Sequence, residues 1–271
     1  MSKLFFLGNS TTVQMFGCVM KSDDKTVVID GGTFGDRKQL VDLINEISGR
    51  HVDAWFFTHP HHDHIGAFYK ILKHGDGILI DRIYHHFPSL DALKKYGSRH
   101  EGETTLWDHL YEKFDGELRD KVTVINENDI YSFGKINISV LRVYNDAIID
   151  NFVNNSSTVY RIDGENSSVL ILGDLGKEGG VDVIEKCSLN SLKADYTQMA
   201  HHGQCGVKRE FYEYIKPQRC IWPAPQWLWD NDNGEGFDTG PWQTVRTREW
   251  VEALGVKEHI IEKDGTQIIE L

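Results

Sequence analysis

The sequence predicts an α/β fold in which strands and helices alternate along a single domain spanning residues 1–271. Short apolar runs rich in β-branched and aromatic residues recur along the chain, and segments with the one-face apolar spacing of a helix lie between them. In addition, a cluster of histidines follows one apolar run directly. Open α/β layers place their ligand sites where strands end, so the histidines predict a site at one edge of a sheet.

The first third of the chain contains a predicted hairpin, two helices and the strand before the histidines. Residues 10–20 and 26–32 show strand-like patterns around the turn KSDDK, which predicts a β-hairpin. Residues 36–48 have apolar positions on one face and predict an amphipathic helix. Residues 52–57 predict a buried strand, and residues 65–73 predict a second helix.

The rest of the chain is irregular at first and then returns to strands. Residues 85–120 are polar and helix-prone, which predicts a helical insertion on the surface. Strands are predicted from residue 122 onward, including 136–144, 157–163, 167–174 and 194–203. The last of these runs into paired histidines. A helix at 244–255 and a short final strand close the chain.

Composition and charge are those of an ordinary globular protein. Hydrophobic residues make up 40% and charged residues 26%, which excludes disordered and collagen-like classes. The net charge of −12 disfavours binding to nucleic acid, because non-specific affinity for it comes from lysine and arginine. The sequence shows no signal-peptide core and no membrane-spanning stretch, and its four cysteines are scattered. We therefore expect a cytoplasmic protein with no membrane partner.

The segment THPHHDH, residues 58–64, contains four histidines and one aspartate. Imidazole and carboxylate groups bind zinc, manganese or iron, and the absence of cysteine favours borderline or hard metals. His59 and His61 can face one metal, while Asp63 and His64 face a second. Packed imidazoles would repel one another when protonated, so a bound cation is the physical reason to collect them.

The pattern His-x-His-x-Asp-His resembles the signature of the metallo-β-lactamase fold superfamily. Three more segments match motifs of that family in the same order: VVIDGG with Asp30, LILGD with Asp174, and HHG with His201 and His202. The resemblance implies a four-layered αββα sandwich with two metals at one edge of the sheets. The stretch NNSSTVYRI before SSVLILGD is also similar to the ComEC hydrolase domain and to phosphorylcholine esterases.

Two departures from the family pattern concern the expected site. The isolated histidine of the third motif is absent, and an Asn-Asn-x-Ser stretch at 154–157 stands near its place. A His-Pro pair found in many ComEC-like chains corresponds here to TGPW, residues 239–242. Four histidines in or beside the predicted insertion are expected at the surface and not as ligands: His85, His86, His100 and His109.

The resemblance implies two divalent metals bound by six side chains: His59, His61, Asp63, His64, Asp174 and His201. In this scheme the histidine pair binds the first metal, the aspartate-histidine pair binds the second, and Asp174 bridges both. His201 completes the second site, while His202 is the alternative ligand or contacts a substrate phosphate. Asp30 would hold the ligand loop through hydrogen bonds. Zinc is the favoured metal, with manganese and iron as alternatives.

A site with two metals predicts that the protein is a hydrolase. Cations about 3.5–4 Å apart lower the pKa of a shared water towards about 7 and stabilise charge that develops on a phosphoryl or carbonyl oxygen. Asp63 is predicted to orient the resulting hydroxide, with His202 as the second catalytic candidate. The predicted substrate is a phosphoester of a small organic molecule.

A tryptophan-rich segment, residues 220–242, admits two interpretations. In one, buried tryptophans pin a long loop, since large aromatic residues usually serve packing. In the other, an aromatic wall beside the metals holds a cationic or flat organic group with the help of Asp230 and Asp232. The tryptophans are Trp222, Trp227, Trp229 and Trp242.

Four other functions stay open on the sequence. A ComEC-like nuclease would need a basic track beside the metals. A flavin-linked di-iron oxidoreductase would carry a glutamate in place of His61 and a flavin domain. Lactam hydrolysis is disfavoured by the missing third-motif histidine. A non-catalytic metal-binding scaffold is disfavoured because the histidine cluster is complete.

Overall fold

The computed structural model describes residues 1–97 and 101–271. Within these residues the strands form two sheets of seven. The first sheet has the order β14 (Gln267–Glu270), β1 (Lys3–Phe6), β2 (Gly17–Ser22), β3 (Lys25–Asp30), β4 (His51–Phe56), β5 (Leu79–His85) and β6 (Val122–Val124). The second has the order β13 (Glu258–Ile261), β12 (Arg219–Trp222), β11 (Tyr196–Gln198), β10 (Ser168–Ile171), β9 (Val159–Asp163), β8 (Ile136–Arg142) and β7 (Ile130–Phe133).

Helices cover the outer face of each sheet. The first sheet packs against α1 (Arg37–Ser48), α2 (His62–His74) and α4 (Glu101–Asp115), with the short α3 (Leu90–Ala92) before α4. The second packs against α6 (Lys177–Lys186), α7 (Leu189–Leu192), α8 (Arg209–Ile215), α9 (Gln226–Trp229) and α10 (Thr244–Ala253). A one-turn helix, α5 (Phe152–Asn155), precedes β9. The predicted four-layered αββα sandwich is therefore confirmed.

Both faces of the central strands are buried, which explains their continuous apolar character. In β3, Val27 and Ile29 face the core between the two sheets, and Val28 faces the core under the helices. In β4, Phe56 faces the core between the two sheets, and Trp55 faces the core under the helices. Both strands run parallel to their neighbours on the β5 side, so their carboxyl ends meet at one edge.

The predicted elements before the site are confirmed, with two shifts in their bounds. The helix predicted at 36–48 is α1, but the first hairpin strand begins at Gly17 and not at residue 10. Ser10 does not pair in a sheet, because its backbone N–H and hydroxyl both donate to Asp36 Oδ1, at 2.9 and 2.7 Å. The second helix begins at His62, three residues earlier than predicted.

The predicted insertion at 85–120 contains α3 and α4, but it is not confined to the surface. The α4 helix buries Trp107 completely, and its indole Nε1 donates to the Pro60 carbonyl at 2.8 Å. The prediction that His85 lies at the surface is wrong: it is only 6% exposed at the end of β5, because its ring packs between Phe87 and Phe114.

The other three histidines of that region differ in exposure. His86 is half-buried beside the Ile125 carbonyl, and His109 is exposed on α4. His100 lies outside the described residues. Among the helices of the described ranges, none is long and apolar enough to cross a bilayer.

Candidate metal centre

The histidine cluster occupies the connection from β4 to α2. His59 lies in the loop after β4, and His61 is the residue that precedes the first turn of α2. Asp63 and His64 lie within that first turn, so both side chains emerge beside the loop histidines. All four are less than a tenth exposed, with relative exposures of 0%, 7%, 6% and 0% in chain order. The sequence spacing therefore brings four ligand-type side chains to the carboxyl edge of the first sheet.

Asp30, at the end of β3, holds this connection in place. Its Oδ1 accepts the Thr58 N–H at 2.8 Å, and its Oδ2 accepts the Thr58 hydroxyl at 2.6 Å. The same Oδ2 lies 2.7 Å from His64 Nδ1. A carboxylate at Nδ1 fixes that imidazole so that Nε2 is presented to the site, as outer partners of metal ligands do.

Asp174 reaches the site from the second sheet, three residues beyond Ile171 at the end of β10. The preceding Gly173 has a φ of +56°, and a Cβ there would lie 2.7 Å from Ser157 Oγ, so this turn requires glycine. The Asp174 backbone N–H donates to the same Ser157 hydroxyl at 2.9 Å. A strand-end turn thus directs the carboxylate towards the histidines.

His202 reaches the site through a strained turn after β11. His201 and His202 have φ values of 51° and 57°, in the left-handed region that residues with a Cβ seldom adopt. Backbone strain of this kind costs about 1–3 kcal/mol per residue and clusters at functional sites. His202 Nδ1 lies 2.8 Å from the Pro223 carbonyl, which leaves Nε2 facing Asp63 and Asp174, 3.3 Å from an oxygen of each.

Two groups of ligand atoms form, and they share Asp174. The first group is His59, His61 and Asp174, and the second is Asp63, His64, Asp174 and His202. Within each group the ligand atoms all lie within 4.8 Å of one another. His59 Nε2 is 3.0 Å from His61 Nδ1, and His64 Nε2 is 3.2 Å from Asp174 Oδ1.

The buried histidines and aspartates of the site have pKa values shifted in different directions. Burial lowers the pKa of His59 well below its usual value, and His64 adds to this effect. For His64 burial acts in the same direction, but Asp174 and Asp30 outweigh it and raise its pKa to about 10. Burial opposes ionisation of Asp63 and Asp174, yet the neighbouring His202 and His64 hold both carboxyl pKa values well below their usual range. The aspartates are therefore anionic acceptors.

The donor set fits divalent metals. Asp174 Oδ1, His64 Nε2 and His202 Nε2 are buried and form no hydrogen bond of good geometry with any residue that the structure describes. Buried polar atoms rarely stay unsatisfied, and each exception calls for a physical reason. Nitrogen and oxygen donors converging from two sides are ligands for zinc, manganese or iron.

The structure brings His202 into the second group and leaves His201 outside both groups. His201 instead lies with its Nε2 3.4 Å from Asn154 Nδ2, in the Asn-Asn-x-Ser stretch. All the other residues expected to bind metal, namely His59, His61, Asp63, His64 and Asp174, belong to at least one group. The geometry favours the alternative that the sequence left open, since adjacent residues in a turn point in different directions.

Sequence reasoning missed several groups that support the site. The Thr58 hydroxyl bridges Asp30 and the two imidazoles of His59 and His64, which lie 3.1 and 3.3 Å away. Gln14 Nε2 lies 3.5 Å from Asp63 Oδ2, and its Oε1 accepts from Gln204 Nε2 at 3.0 Å. The position of Thr58 directly before the cluster was a usable signal. Nothing in the sequence marks the glutamines.

The tryptophan-rich segment serves mainly to pack the loop. Trp222 is fully buried, and Trp229 is covered by the Arg248 guanidinium, 4.1 Å from the ring centre. Asp232 accepts the backbone N–H groups of Gly234 and Gly236, which fixes the turn. Trp227 Nε1 donates to the Thr12 carbonyl at 2.8 Å and so attaches the segment to the loop that carries Gln14. These contacts support the packing interpretation.

A third cluster of ligand-type residues lies at the opposite end of β4. It contains His51, Asp53 and Asp81. Asp53 already forms an ion pair with Lys25 at 2.9 Å, and Asp81 lies 3.0 Å from His51 at the surface. These pairings account for the cluster without a metal.

The fold and the paired ligand groups agree with a family comparison. Residues 7–144 match the model of the metallo-beta-lactamase superfamily, more than half of the 271 residues. The chain therefore belongs to this superfamily, as its motifs predicted.

Individual relatives are distant. ComE operon protein 3 of Bacillus subtilis is 27% identical over 188 residues, which cover 68% of this chain but only 21% of that protein. The chain thus spans about a fifth of the curated relative that it matches.

Solved structures share the fold at low identity. The metallo-beta-lactamase fold protein YhfI from Bacillus subtilis has a TM-score of 0.57 and 15% identity, over 100% of this chain and 99% of that one. CmlA, a diiron beta-hydroxylase from Streptomyces venezuelae, has a TM-score of 0.56 and 12% identity, over 100% and 54%. A diphosphatase of the PhnP family has a TM-score of 0.50 and 13% identity, over 100% and 98%.

Proposed function

We propose that this protein is a hydrolase with a binuclear metal site that cleaves a phosphoester of a small organic substrate. The observation that carries the proposal is the pair of buried ligand groups that share Asp174. Two sites with a common carboxylate are the arrangement expected for two cations acting on one substrate. When bound, such cations lower the pKa of water and neutralise charge that develops on an ester oxygen.

In the proposed site each ligand group holds one metal. His59 and His61 hold the first metal, and Asp174 contributes to both. Asp63, His64 and His202 complete the second. We therefore assign the last position to His202 and give His201 no metal. Zinc is the proposed metal, with manganese and iron as alternatives, because nitrogen and oxygen donors accept all three.

The chain's own residues prepare the site for hydrolysis. The anionic Asp63, beside Gln14, is the acceptor proposed to orient the attacking water. His202 is held by the Pro223 carbonyl, so its imidazole cannot turn away as the substrate binds. Near-complete burial of the ligands keeps bulk water from competing for them, which strengthens every charge interaction in the site. Fixed acceptors of this kind reduce the reorganisation that the reaction requires.

Support for a phosphoester comes from the family and from a distant structural relative. A neighbour with the same fold is a diphosphatase, and members of the superfamily are generally hydrolases. The same fold also serves a diiron beta-hydroxylase, which keeps iron among the proposed metals. A small-molecule substrate, no membrane partner and a cytoplasmic location stay part of the proposal.

The test compares ester hydrolysis by two neighbouring histidine variants. We expect metal-loaded wild-type protein to cleave bis-p-nitrophenyl phosphate or p-nitrophenyl phosphorylcholine. The His61→Ala variant should lose about a hundredfold or more of this activity, in line with the loss of a metal ligand or its support. The matched control is His62→Ala, since His62 is half-buried next to Phe34 and belongs to neither ligand group. Two bound metals without cleavage of either ester would overturn the phosphoester assignment.

A further inference from the structure

We propose that a basic cavity beside the metal centre binds a second anionic group of the substrate, away from the bond that is cleaved. The inference rests on the proposed function and specifies its substrate class. The basic cavity lies among α6, α8 and α10 and has a volume of about 340 Å³. Its wall carries four cationic side chains: Lys177, Lys208, Arg209 and Arg246.

The basic cavity concentrates positive charge in a chain that is acidic as a whole. The whole chain has a net charge of −12, yet Glu210 is the acidic residue among the lining side chains. Lys177 and Lys208 are exposed and form no ion pair with any residue in the described ranges, whereas Arg209 is paired with Glu213 at 2.7 Å. Arg246 is held over the Trp250 ring, 5.6 Å from its centre. Concentrated charge of one sign in a cleft raises the local concentration of an opposite charge.

The basic cavity adjoins a second cavity that reaches His201, next to His202 of the second ligand group. Lys177 and Cys205 also line this second cavity, which has a volume of about 340 Å³ and a wall that includes His201 and the acidic Asp150 and Glu178. The His201 ring centre lies 6.1 Å from that of His202, whose Nε2 belongs to the second ligand group. In the proposal, a substrate with its reacting phosphate at the metals extends past His201 towards the basic cavity. This gives His201 a place beside the substrate and not in the ligand shell.

Size and charge indicate a small substrate with two anionic groups. A volume of about 340 Å³ falls in the range of small-molecule pockets. A long polyanion would have to pass an otherwise acidic surface, and its affinity would have to come from lysines and arginines along a track much longer than this cavity. Arginine and lysine bind phosphate through charge-assisted hydrogen bonds. The substrate class is therefore a phosphodiester or phosphomonoester that carries a second phosphate.

The test compares two chromogenic esters that differ by one phosphate. These are thymidine 5′-(p-nitrophenyl phosphate) and the same compound with a 3′-phosphate. We expect the 3′-phosphate to raise kcat/KM by about tenfold in the wild type, the effect of two charge-assisted contacts. In the double variant Lys208→Gln, Arg246→Gln, this ratio should fall below about threefold. The matched control is Lys257→Gln, which removes an exposed lysine outside the basic cavity and should keep the wild-type ratio.

Direct binding separates failure of the cavity from failure of the proposed function. Calorimetry on the wild type should show tighter binding of thymidine 3′,5′-bisphosphate than of thymidine 5′-monophosphate, and the double variant should lose the difference. Equal cleavage of both esters with equal binding of both nucleotides would contradict anion binding in the basic cavity. The proposed hydrolase function would still stand. If neither ester is cleaved, the proposed function fails. The difference in binding between the two nucleotides then decides whether the basic cavity binds a second phosphate. Tighter binding of single-stranded oligothymidylate than of the bisphosphate would overturn the small-substrate class.

Discussion

At the residue scale, the centre depends on acceptors that hold two of its imidazoles, those of His64 and His202, by the second ring nitrogen. Asp30 lies at His64 Nδ1, and the Pro223 carbonyl lies at His202 Nδ1. Each contact leaves Nε2 directed at Asp174. Asp30 could be anticipated from its motif, because it is a carboxylate at a strand end. The carbonyl could not, since any residue supplies one and only the folded chain decides which lies near.

The choice between His201 and His202 shows why the sequence left the ligand open. The two residues are adjacent, and both have left-handed backbone conformations. In regular structure the direction of a side chain follows from periodicity, but in such a turn it depends on local dihedral angles. Gly203 continues the turn with a φ of +79° against the Trp222 ring. The glycine was visible in the sequence, whereas the direction of each histidine was not.

His85 makes a prediction about pH. Burial, aided by the nearby His86, lowers the pKa of His85 from 6.5 to about 3. The folded state therefore binds fewer protons than the unfolded state between these values, so its contribution to stability is complete above pH 6.5 and is lost as the pH falls. His85→Gln retains an acceptor for the Phe87 N–H, 3.0 Å from His85 Nδ1, but does not titrate. The stability of the wild type relative to the variant should fall by about 2 kcal/mol from pH 8 to pH 5.

Urea unfolding of both proteins across that pH range measures this difference. Titration of the metal ligands affects both proteins alike and cancels in the comparison. A difference that stays constant with pH would show that the pKa of His85 is the same in the folded and unfolded states, and would contradict the lowered pKa.

At the element scale, local pattern predicted the helices and the central strands well. The α1 helix follows its apolar periodicity to within one residue, and β4 and β10 follow their buried runs. The β1 strand was missed because it has only four residues and pairs with β14, at the other end of the chain. The β5 strand was missed because its exposed polar residues interrupt the apolar pattern. Strand pairing between residues far apart in the sequence, as between β1 and β14, produces no local sequence pattern.

The α4 helix supports the loop that carries His59 and His61. The polar composition of this helix did not indicate that role. Trp107→Phe keeps most of the buried ring but removes the donor to the Pro60 carbonyl between His59 and His61. We expect the free energy of unfolding to fall by about 1–3 kcal/mol, because a buried carbonyl loses its partner. Because that carbonyl belongs to the ligand loop, metal affinity should fall as well.

Tyr69→Phe is the control for this variant, since it removes only a surface contact with His109 between α2 and α4. Chemical unfolding and metal titration of both variants measure the two effects. Equal stabilities and metal affinities for the two variants would contradict a supporting role for α4.

At the scale of the whole molecule, the site exists only where the two sheets meet. The first sheet supplies the histidine cluster, and the second supplies Asp174 and His202. Tyr160 joins the sheets directly beneath the site, because its hydroxyl donates to the Phe57 carbonyl at 2.6 Å, one residue after β4. Sequence motifs indicated which residues meet, but the contact between sheets depends on packing across the core.

Tyr160→Phe tests the link between the sheets. We expect a loss of about 1–2 kcal/mol in the free energy of unfolding, because the Phe57 carbonyl loses a buried donor. The control is Tyr84→Phe, whose half-buried ring stacks on Phe56 and keeps that contact. Urea unfolding of the two variants measures the difference. Equal stability of both would show that the hydroxyl does not contribute to the contact between the sheets.

The central claim is that two metals share Asp174 and that His202, not His201, completes the second site. The measurement is the metal content per chain of wild type, His202→Ala and His201→Ala, by mass spectrometry after reconstitution and gel filtration. We predict about two metals for the wild type and for His201→Ala, and about one for His202→Ala, because loss of a ligand lowers metal affinity strongly. A single metal in the wild type, or loss of a metal in His201→Ala but not in His202→Ala, would contradict the claim.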